Sequence, residues 1–370
     1  MKKTCNTPKP SELGSLVSEL RSLIHSARHA VATTVNTLQV LTNFEIGRRI
    51  VEHEQKGEKR AEYGAELLIE LSARLTEEFG NGFSSTNLRL MRQFFLEYRE
   101  RIDPLPSAVF VHRQICQTVS DKFESISQTL SAESGNPPFT LSWSHYVLLL
   151  TTQKTDERRF YEIEACQSGW SFRELKRQIA SSLYERLALG KDKDGIRKLA
   201  TEGQIMAKPE DILKEPYVLE FLGLDEKSGY SESDLESAII DQLEQFLLEL
   251  GKGFLFEARQ KRFTFDEDHF FVDLVFYNRL LRCYVLIDLK LDKLNHQDLG
   301  QMQMYVNYFD RYVKTDDENP TIGILLCKRK KQAVVELTLP ADANIHAREY
   351  SLYLPSKELL QQKLMDWARQ

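Results

Sequence analysis

Two carboxylates and an ammonium lie in a stretch that is otherwise mostly apolar. They are Asp273, Asp288 and Lys290, within FVDLVFYNRLLRCYVLIDLK (271–290). The stretch predicts two strands joined by a short turn. Residues i and i+2 of a strand share a face. In the first strand Phe270, Val272, Leu274 and Phe276 therefore lie opposite Phe271, Asp273, Val275 and Tyr277. In the second, Cys283, Val285, Ile287 and Leu289 lie opposite Tyr284, Leu286, Asp288 and Lys290. Largely apolar faces on both sides are the mark of a central, doubly covered sheet. A turn centred between Leu280 and Leu281 sets Asp273 directly across from Asp288. Facing side chains in such a pair lie about 4.5–5.5 Å apart, and like charges there are destabilising. Burial of an unpaired carboxylate raises the cost further. A divalent cation between the two would turn the conflict into a site, since hard cations such as Mg2+ take carboxylate oxygen and water. Lys290, on the face of Asp288, could then contact a phosphate or orient a water. The turn does not force this register. Asn278 is the only turn former in YNRLLR, and a three-residue loop centred on Arg279 would part the carboxylates. Asp288 and Lys290 would then form a salt bridge at a strand end, with Asp273 bordering solvent.

The elements that position these residues can be read outward from the hairpin. A helix is predicted over 233–250, ending at Gly251, a suitable C-terminal residue. Strands follow at 253–259, 262–267, 270–277 and 282–289, then a helix over 296–312, strands at 321–327 and 348–354, and a helix over 357–369. Alternation of this kind means an α/β domain. Glu236 lies in the first turn of the 233–250 helix, where Ser233-x-x-Glu236 also fits a capping box. Glu257 and Arg259 share a strand face and could reach a metal or phosphate, or form a surface pair. In the 296–312 helix, Leu299, Met302, Val306 and Phe309 make the core stripe. Gln301 lies off it, with Tyr305, Tyr308 and Tyr312 on a neighbouring face. His269 and His296 flank the hairpin but match no ligand spacing. CKRKK (327–331) is the densest basic run and reads as a phosphate-tracking segment or a solvated loop.

The first half reads as helices. FSSTNLRLMRQFFLEYRE places Leu88, Met91, Phe95 and Tyr98 on one face after caps at Ser84/Ser85, and GWSFRELKRQIASSLYERL predicts one helix with a Ser171/Glu174 capping box. Arg173, Lys176 and Arg177 share a face there and could grip DNA, as in a helix-turn-helix-like module. Residues 156–187 hold six basic and six acidic residues, so the patch is mixed. SAESGNPPFT (131–140) reads as a loop. Residues 190–232 are polar apart from PYVLEFLGL (216–224) and read as a connector. The expected organisation is a helical domain over 11–190, a connecting segment over 191–232 and an α/β domain over 233–370.

Composition bounds the class. The chain has 370 residues, 42% hydrophobic and 28% charged, with a formal net charge of −6. That suffices for two or three domains with buried cores. The charge would not itself attract nucleic acid, so any such binding needs a local basic patch. No apolar run approaches the roughly 20 residues of a membrane helix, and the basic N-terminus lacks a signal-type apolar run. Cys5, Cys116, Cys166, Cys283 and Cys327 are scattered, against a disulfide framework or zinc site. Together these predict a cytoplasmic protein.

The order helix, three strands, helix, strand, with Asp273 and then Asp288-Leu289-Lys290 on the middle strands, resembles the PD-(D/E)xK nuclease superfamily. The closer resemblance is to the YhcG-like family of bacterial proteins. It is carried by ESDLESAIIDQLEQFLLELGKGFLFEARQKRF (232–263), FFVDLVFYNRLLRCYVLIDLK (270–290), GQMQMYVNYFD (300–310) and SLYLPSKELL (351–360). In the N-terminal half NFEIGRRI (43–50), AEYGAELLIELSARL (61–75), FGNGFSSTNLRLMRQFF (79–95), LSWSHY (141–146) and ERRFYEIEACQSGWSFRELKRQI (157–179) are similar to that family's helical domain. Asp288 stands where the close family more often has Glu, and Phe44 where it often has Trp.

The resemblance implies a restriction-endonuclease-like α/β core of order αβββαβ with a central mixed sheet, after an all-helical domain. It implies a metal-dependent endonuclease cutting DNA, in defence against foreign DNA or in recombination and repair. Asp273, Asp288 and Glu236 would hold Mg2+, or Mn2+ in its place. Lys290 would position or deprotonate the attacking water, and Gln301 would support the site. Arg259, Arg173, Lys176, Arg177, Lys328 and Arg329 are the candidate DNA contacts. Cutting both strands needs two sites, so a homo-oligomer is expected. Two alternatives stand beside this: an inactive nuclease fold serving as a DNA-binding or scaffold protein, and a nuclease acting on RNA.

Overall fold

The computed structural model describes residues 35–54, 61–101, 139–189, 191–224, 229–265, 267–330, 332–340 and 343–367. Residues 11–34 of the expected helical domain and most of the 131–140 loop lie outside the described residues. Two compact units are present, Met1–Gln153 and Lys154–Gln370.

In the first unit the helices are α1 (35–54), α2 (Ala61–Phe79), α3 (Ser85–Tyr98) and α4 (Trp143–Leu149). Ser84 caps α3 by accepting from the Asn87 amide at 3.2 Å. The buried stripe of α3 is Leu88, Met91, Phe94 and Tyr98. Phe94 thus takes the core place expected for Phe95, because it meets Phe44, Phe139 and Tyr146 with ring centroids 5.0–6.0 Å apart. Gly47 lets α1 approach α3: a Cβ there would stand 2.1 Å from the Met91 carbonyl oxygen.

The second unit begins with α5 (Thr155–Ser168), α6 (Phe172–Ala180), α7 (Leu183–Ala188) and α8 (Lys193–Glu202). The single helix expected across 172–188 is two, broken at Ser182, whose φ is +53°. The break follows from Arg186, which is fully buried and turns back on the end of α6. Its Nε donates to the Ser181 carbonyl at 2.8 Å and its Nη2 to Ser181 Oγ at 2.9 Å. Arg186 also pairs with Glu249 at 2.5 Å, with neither side chain exposed. Burial works to raise the Glu249 carboxyl, but Arg186, Lys214 and Arg177 together outweigh it and hold it at about 2. The same cluster corrects the expectation for Arg177. Its side chain is 13% exposed and spans Glu220 at 2.9 Å and Glu249 at 3.3 Å, so it is not free to face DNA. Arg173 and Lys176 remain exposed.

The rest of the second unit runs β1 (Tyr217–Val218), α9 (Glu232–Asp241), α10 (Leu243–Leu250), β2 (Phe254–Phe265), β3 (Asp268–Asn278) and β4 (Cys283–Lys293). It continues with α11 (His296–Tyr312), β5 (Ile322–Arg329), α12 (Gln332–Thr338), β6 (Ile345–Ser351) and α13 (Lys357–Trp367). The strand order is β1-β6-β5-β4-β3-β2. The β2–β3 and β3–β4 pairs are antiparallel, and β4–β5, β5–β6 and β1–β6 are parallel. This is the mixed restriction-endonuclease-like core in the predicted order. Two strands expected at 253–259 and 262–267 are one, β2. The segment expected as a connector carries α8 and β1, and Ile212, Leu213, Tyr217 and Leu219 join the core.

The sheet is covered on both sides. One face packs Val285, Ile287, Leu289, Ile324 and Leu326 against Leu235, Ile239, Phe246 and Leu250 of α9 and α10. The other packs Val275, Leu286 and Leu325 against Leu299, Met302, Tyr305, Val306 and Phe309 of α11. Gly323 permits the second contact, since a Cβ there would lie 2.7 Å from Met302 Cγ. Strict alternation fails in β3: Leu274 packs in the first core but Val272 in the second. The strand changes face at Asp273.

Candidate active site

The register is the one set by a turn centred between Leu280 and Leu281. Leu274 faces Ile287, Val275 faces Leu286 and Asn278 faces Cys283. Asn278 fixes that turn: buried, its Oδ1 accepts from the amides of Leu280 at 3.0 Å and Leu281 at 3.1 Å, and its Nδ2 donates to the Lys252 carbonyl at 3.1 Å. The described β3–β4 pairing ends one position short of Asp273 and Asp288, while β4–β5 pairing runs on to Lys290 and Cys327. The carboxylates therefore sit where β3 parts from β4. Asp273 Oδ2 accepts from the Leu289 amide at 2.9 Å.

Asp288 is 3% exposed. Burial, and secondly the Asp273 carboxyl beside it, push Asp288 up to about 7 even though Lys290 opposes them. Lys290 Nζ lies 2.8 Å from Asp288 Oδ2 and 3.6 Å from Glu232 Oε2. Burial works against its charge, but Asp288 and Glu232 outweigh it and raise the ammonium above its ordinary range.

The predicted partners fall at different places around this pair. Glu236 is buried, with Oε1 accepting from Arg259 Nε and Oε2 from Gln260 Nε2 at 2.6 Å. It is not a cap: the capping box of α9 is Ser231 with Asp234. Arg259 is tied to Glu236 and to Ser237 Oγ at 3.0 Å. Gln301 is exposed and donates to the Tyr305 hydroxyl. Tyr305 is buried, and its phenol is raised first by burial and also by the charges of Asp288 and Asp273. Lys328 lies over the Tyr230 ring at 4.8 Å, Arg329 is exposed at the end of β5, and Lys330 pairs with Glu215. Lys331 lies outside the described residues. His269 contacts Arg262 and Thr264 Oγ1.

Three contributors receive no role in the site from the sequence. Glu232, at the first position of α9, faces Lys290 and accepts from the Leu291 amide at 3.3 Å. Its only signal is that α9 starts one residue earlier than expected. Tyr305 belongs to the α11 core and follows Gln301 by one helical turn, a spacing visible in the sequence. Gln260 gives no signal, being one polar residue among others in β2.

The donor set fits a hard divalent cation. The buried Asp288 carboxyl lies beside that of the half-buried Asp273, and burial and Asp273 together push Asp288 up although Lys290 pairs with it. Asp273 and Asp288 would hold the ion. Among the described residues no three His, Cys, Asp or Glu side chains converge to cage one. Glu236 therefore stands behind the pair, linked to it through Gln260.

A mixed sheet with paired acids and a lysine at the parting of its central hairpin defines a PD-(D/E)xK nuclease domain. A family model for the YhcG PDDEXK nuclease domain matches residues 210–365, and one for the DUF1016 N-terminal domain matches residues 19–186. The Escherichia coli (strain K12) protein named "Putative nuclease YhcG" is 43% identical over 347 residues, 93% of this chain and 91% of that one. The chain belongs to the YhcG family of nuclease-domain proteins. Two solved structures are similar over about a third of the chain. "Crystal structure of a repair endonuclease from Pyrococcus abyssi" has 22% identity and a TM-score of 0.24, covering 35% of this chain and 50% of that one. "Structure of EndoMS-dsDNA2 complex" has 16% identity and a TM-score of 0.25, covering 36% and 51%. The chain thus spans about half the length of each, and a likeness that slight places no residue.

Proposed function

We propose that this protein is a Mg2+-dependent endonuclease that hydrolyses DNA phosphodiester bonds, with Mn2+ able to replace Mg2+. The observation that carries the reading is Asp273 beside Asp288 where the hairpin parts, with the Lys290 ammonium 2.8 Å from Asp288. Asp273 and Asp288 hold the cation, which when bound neutralises charge at the scissile phosphate and makes a water more acidic. Lys290, kept charged by its carboxylate neighbours, donates to a phosphate oxygen or orients the attacking water. Gln301 donates to the hydroxyl of Tyr305, whose phenol is raised first by burial and also by the charges of the pair. Lys328 and Arg329 extend from β5, the parallel neighbour of β4, and meet the backbone beside the cut. Arg173 and Lys176 add exposed positive charge on α6. The enzyme works in the cytoplasm as a homo-oligomer that brings two sites to a duplex, in defence against foreign DNA or in recombination and repair. No helix among the described residues is long and apolar enough to cross a membrane.

The test compares wild type with Asp273→Ala and Lys290→Ala on linear, nicked, branched and single-stranded DNA, and on RNA, with Mg2+ or Mn2+. Cleavage of DNA by the wild type alone, with each variant down by roughly 100-fold or more, supports the reading. Equal cleavage by all three proteins refutes the site, and binding without cleavage on every substrate points to a scaffold.

A further inference from the structure

Gln260 lies within β2 with φ +47°, in the left-handed region that favours glycine and that a strand does not need. Such strain persists where the surroundings impose it, often at functional sites. Here it accompanies a change of face in β3. Arg259 pairs with Leu274 and Lys261 with Val272, so register is kept across Gln260 and Asp273. Yet Leu274 packs in one core and Val272 in the other. The twisted backbone presents the Gln260 amide to two acids from different elements. Its Nε2 donates to Glu236 Oε2 at 2.6 Å and to Asp273 Oδ1 at 3.0 Å.

A primary amide nitrogen has two hydrogens, and both are committed. Asp273 Oδ2 is held separately by the Leu289 amide at 2.9 Å. Both oxygens of Asp273 are thus oriented, and each keeps a lone pair for a cation. Glu236 has both of its oxygens engaged, by Arg259 and by Gln260.

We propose that Gln260 is a positioning residue for the cation: it fixes the rotation of the Asp273 carboxylate and relays Glu236 to the ion through its amide. The inference rests on the nuclease reading above and deepens it. Outer partners of this kind are worth roughly 10–100-fold in metal affinity. Glycine accepts the Gln260 backbone without strain, so Gln260→Gly removes both hydrogen bonds while the strand keeps its path. Gln260→Asn, which also tolerates a left-handed backbone, carries the amide on a shorter arm.

The full-length chain, both variants and Asp273→Asn are titrated with Mn2+, the free ion being followed by electron paramagnetic resonance. Thermal unfolding without metal is measured alongside. The expected result is that both Gln260 variants still unfold cooperatively without metal, with Mn2+ affinity reduced roughly 10–100-fold in both and lost in Asp273→Asn. Wild-type affinity in either Gln260 variant, with Asp273→Asn impaired, overturns the role of Gln260 and leaves the nuclease reading standing. Equal Mn2+ binding by wild type and Asp273→Asn overturns both.

Discussion

Replacing Glu249 by Gln removes one negative charge from a site where three cations converge. Glu249 has no exposed surface, and its partners are Arg186 at 2.5 Å, Arg177 at 3.3 Å and Lys214, which donates to its carbonyl. A carboxyl held at about 2 rather than its ordinary 4.5 stabilises the folded state by about 3 kcal/mol at neutral pH. Breaking a buried pair from one side costs about 3–5 kcal/mol by comparison with other proteins. Lys214, already pushed down to about 8 by burial, can shed its proton when Glu249 is gone, which favours the lower end. Each kcal/mol is worth roughly 2–4 °C in a unit of this size, so Glu249→Gln should melt roughly 6–12 °C below wild type near neutral pH. The carboxyl is depressed, so its contribution is complete above about 4.5 and is lost as pH falls towards about 2. Calorimetry across that range should therefore show the gap between the two proteins closing as acid is added. Indistinguishable melting at neutral pH, or a gap that does not change with acid, refutes the reasoning.

Lys290→Met should keep Mn2+ affinity while cleavage falls by roughly 100-fold or more, read from binding and single-turnover rates on one preparation. Lys328→Ala and Arg329→Ala should each weaken DNA binding at every sequence and reduce the slope of log affinity against log salt by about 1. Gly323→Ala should cost about 1–3 kcal/mol by urea unfolding, because the added methyl meets Met302 Cγ at 2.7 Å and Val306 Cγ2 at 3.0 Å. Gly47→Ala should cost about 3 kcal/mol, since the obstacle is the Met91 backbone rather than a movable side chain.

The sheet was legible wherever apolar pattern and strand position agreed. β3, β4 and β5 announce themselves as nearly continuous apolar runs, and the facing carboxylates follow once the hairpin turn is placed. That turn is held by Asn278, the one residue the sequence offered for it. Where side-chain pattern and backbone part company, the reading fails. The breaks at Ser182 and Gln242 lie inside helical patterns, the first imposed by an arginine reaching back from the next turn. Arg177 looked like part of a basic face because its acidic partners, Glu220 and Glu249, are distant in sequence. Glu236 looked like a cap because Ser233 is correctly spaced, yet Ser231 and Asp234 do that work. Gln260 is silent for a different reason: its place in the site depends on a backbone angle that no local pattern encodes.

The Leu289 amide gives its hydrogen to the side chain of Asp273, while the neighbouring β3–β4 positions are held by the ladder. Ladder amides take up deuterium only when strands separate, whereas an amide held by a side chain is released when that side chain rotates. Deuterium uptake at Leu289 is therefore a built-in gauge of how firmly the Asp273 carboxylate is held, legible without any substrate. Because the gauge belongs to the chain itself, an exchange experiment can follow the loading of the site at Asp273.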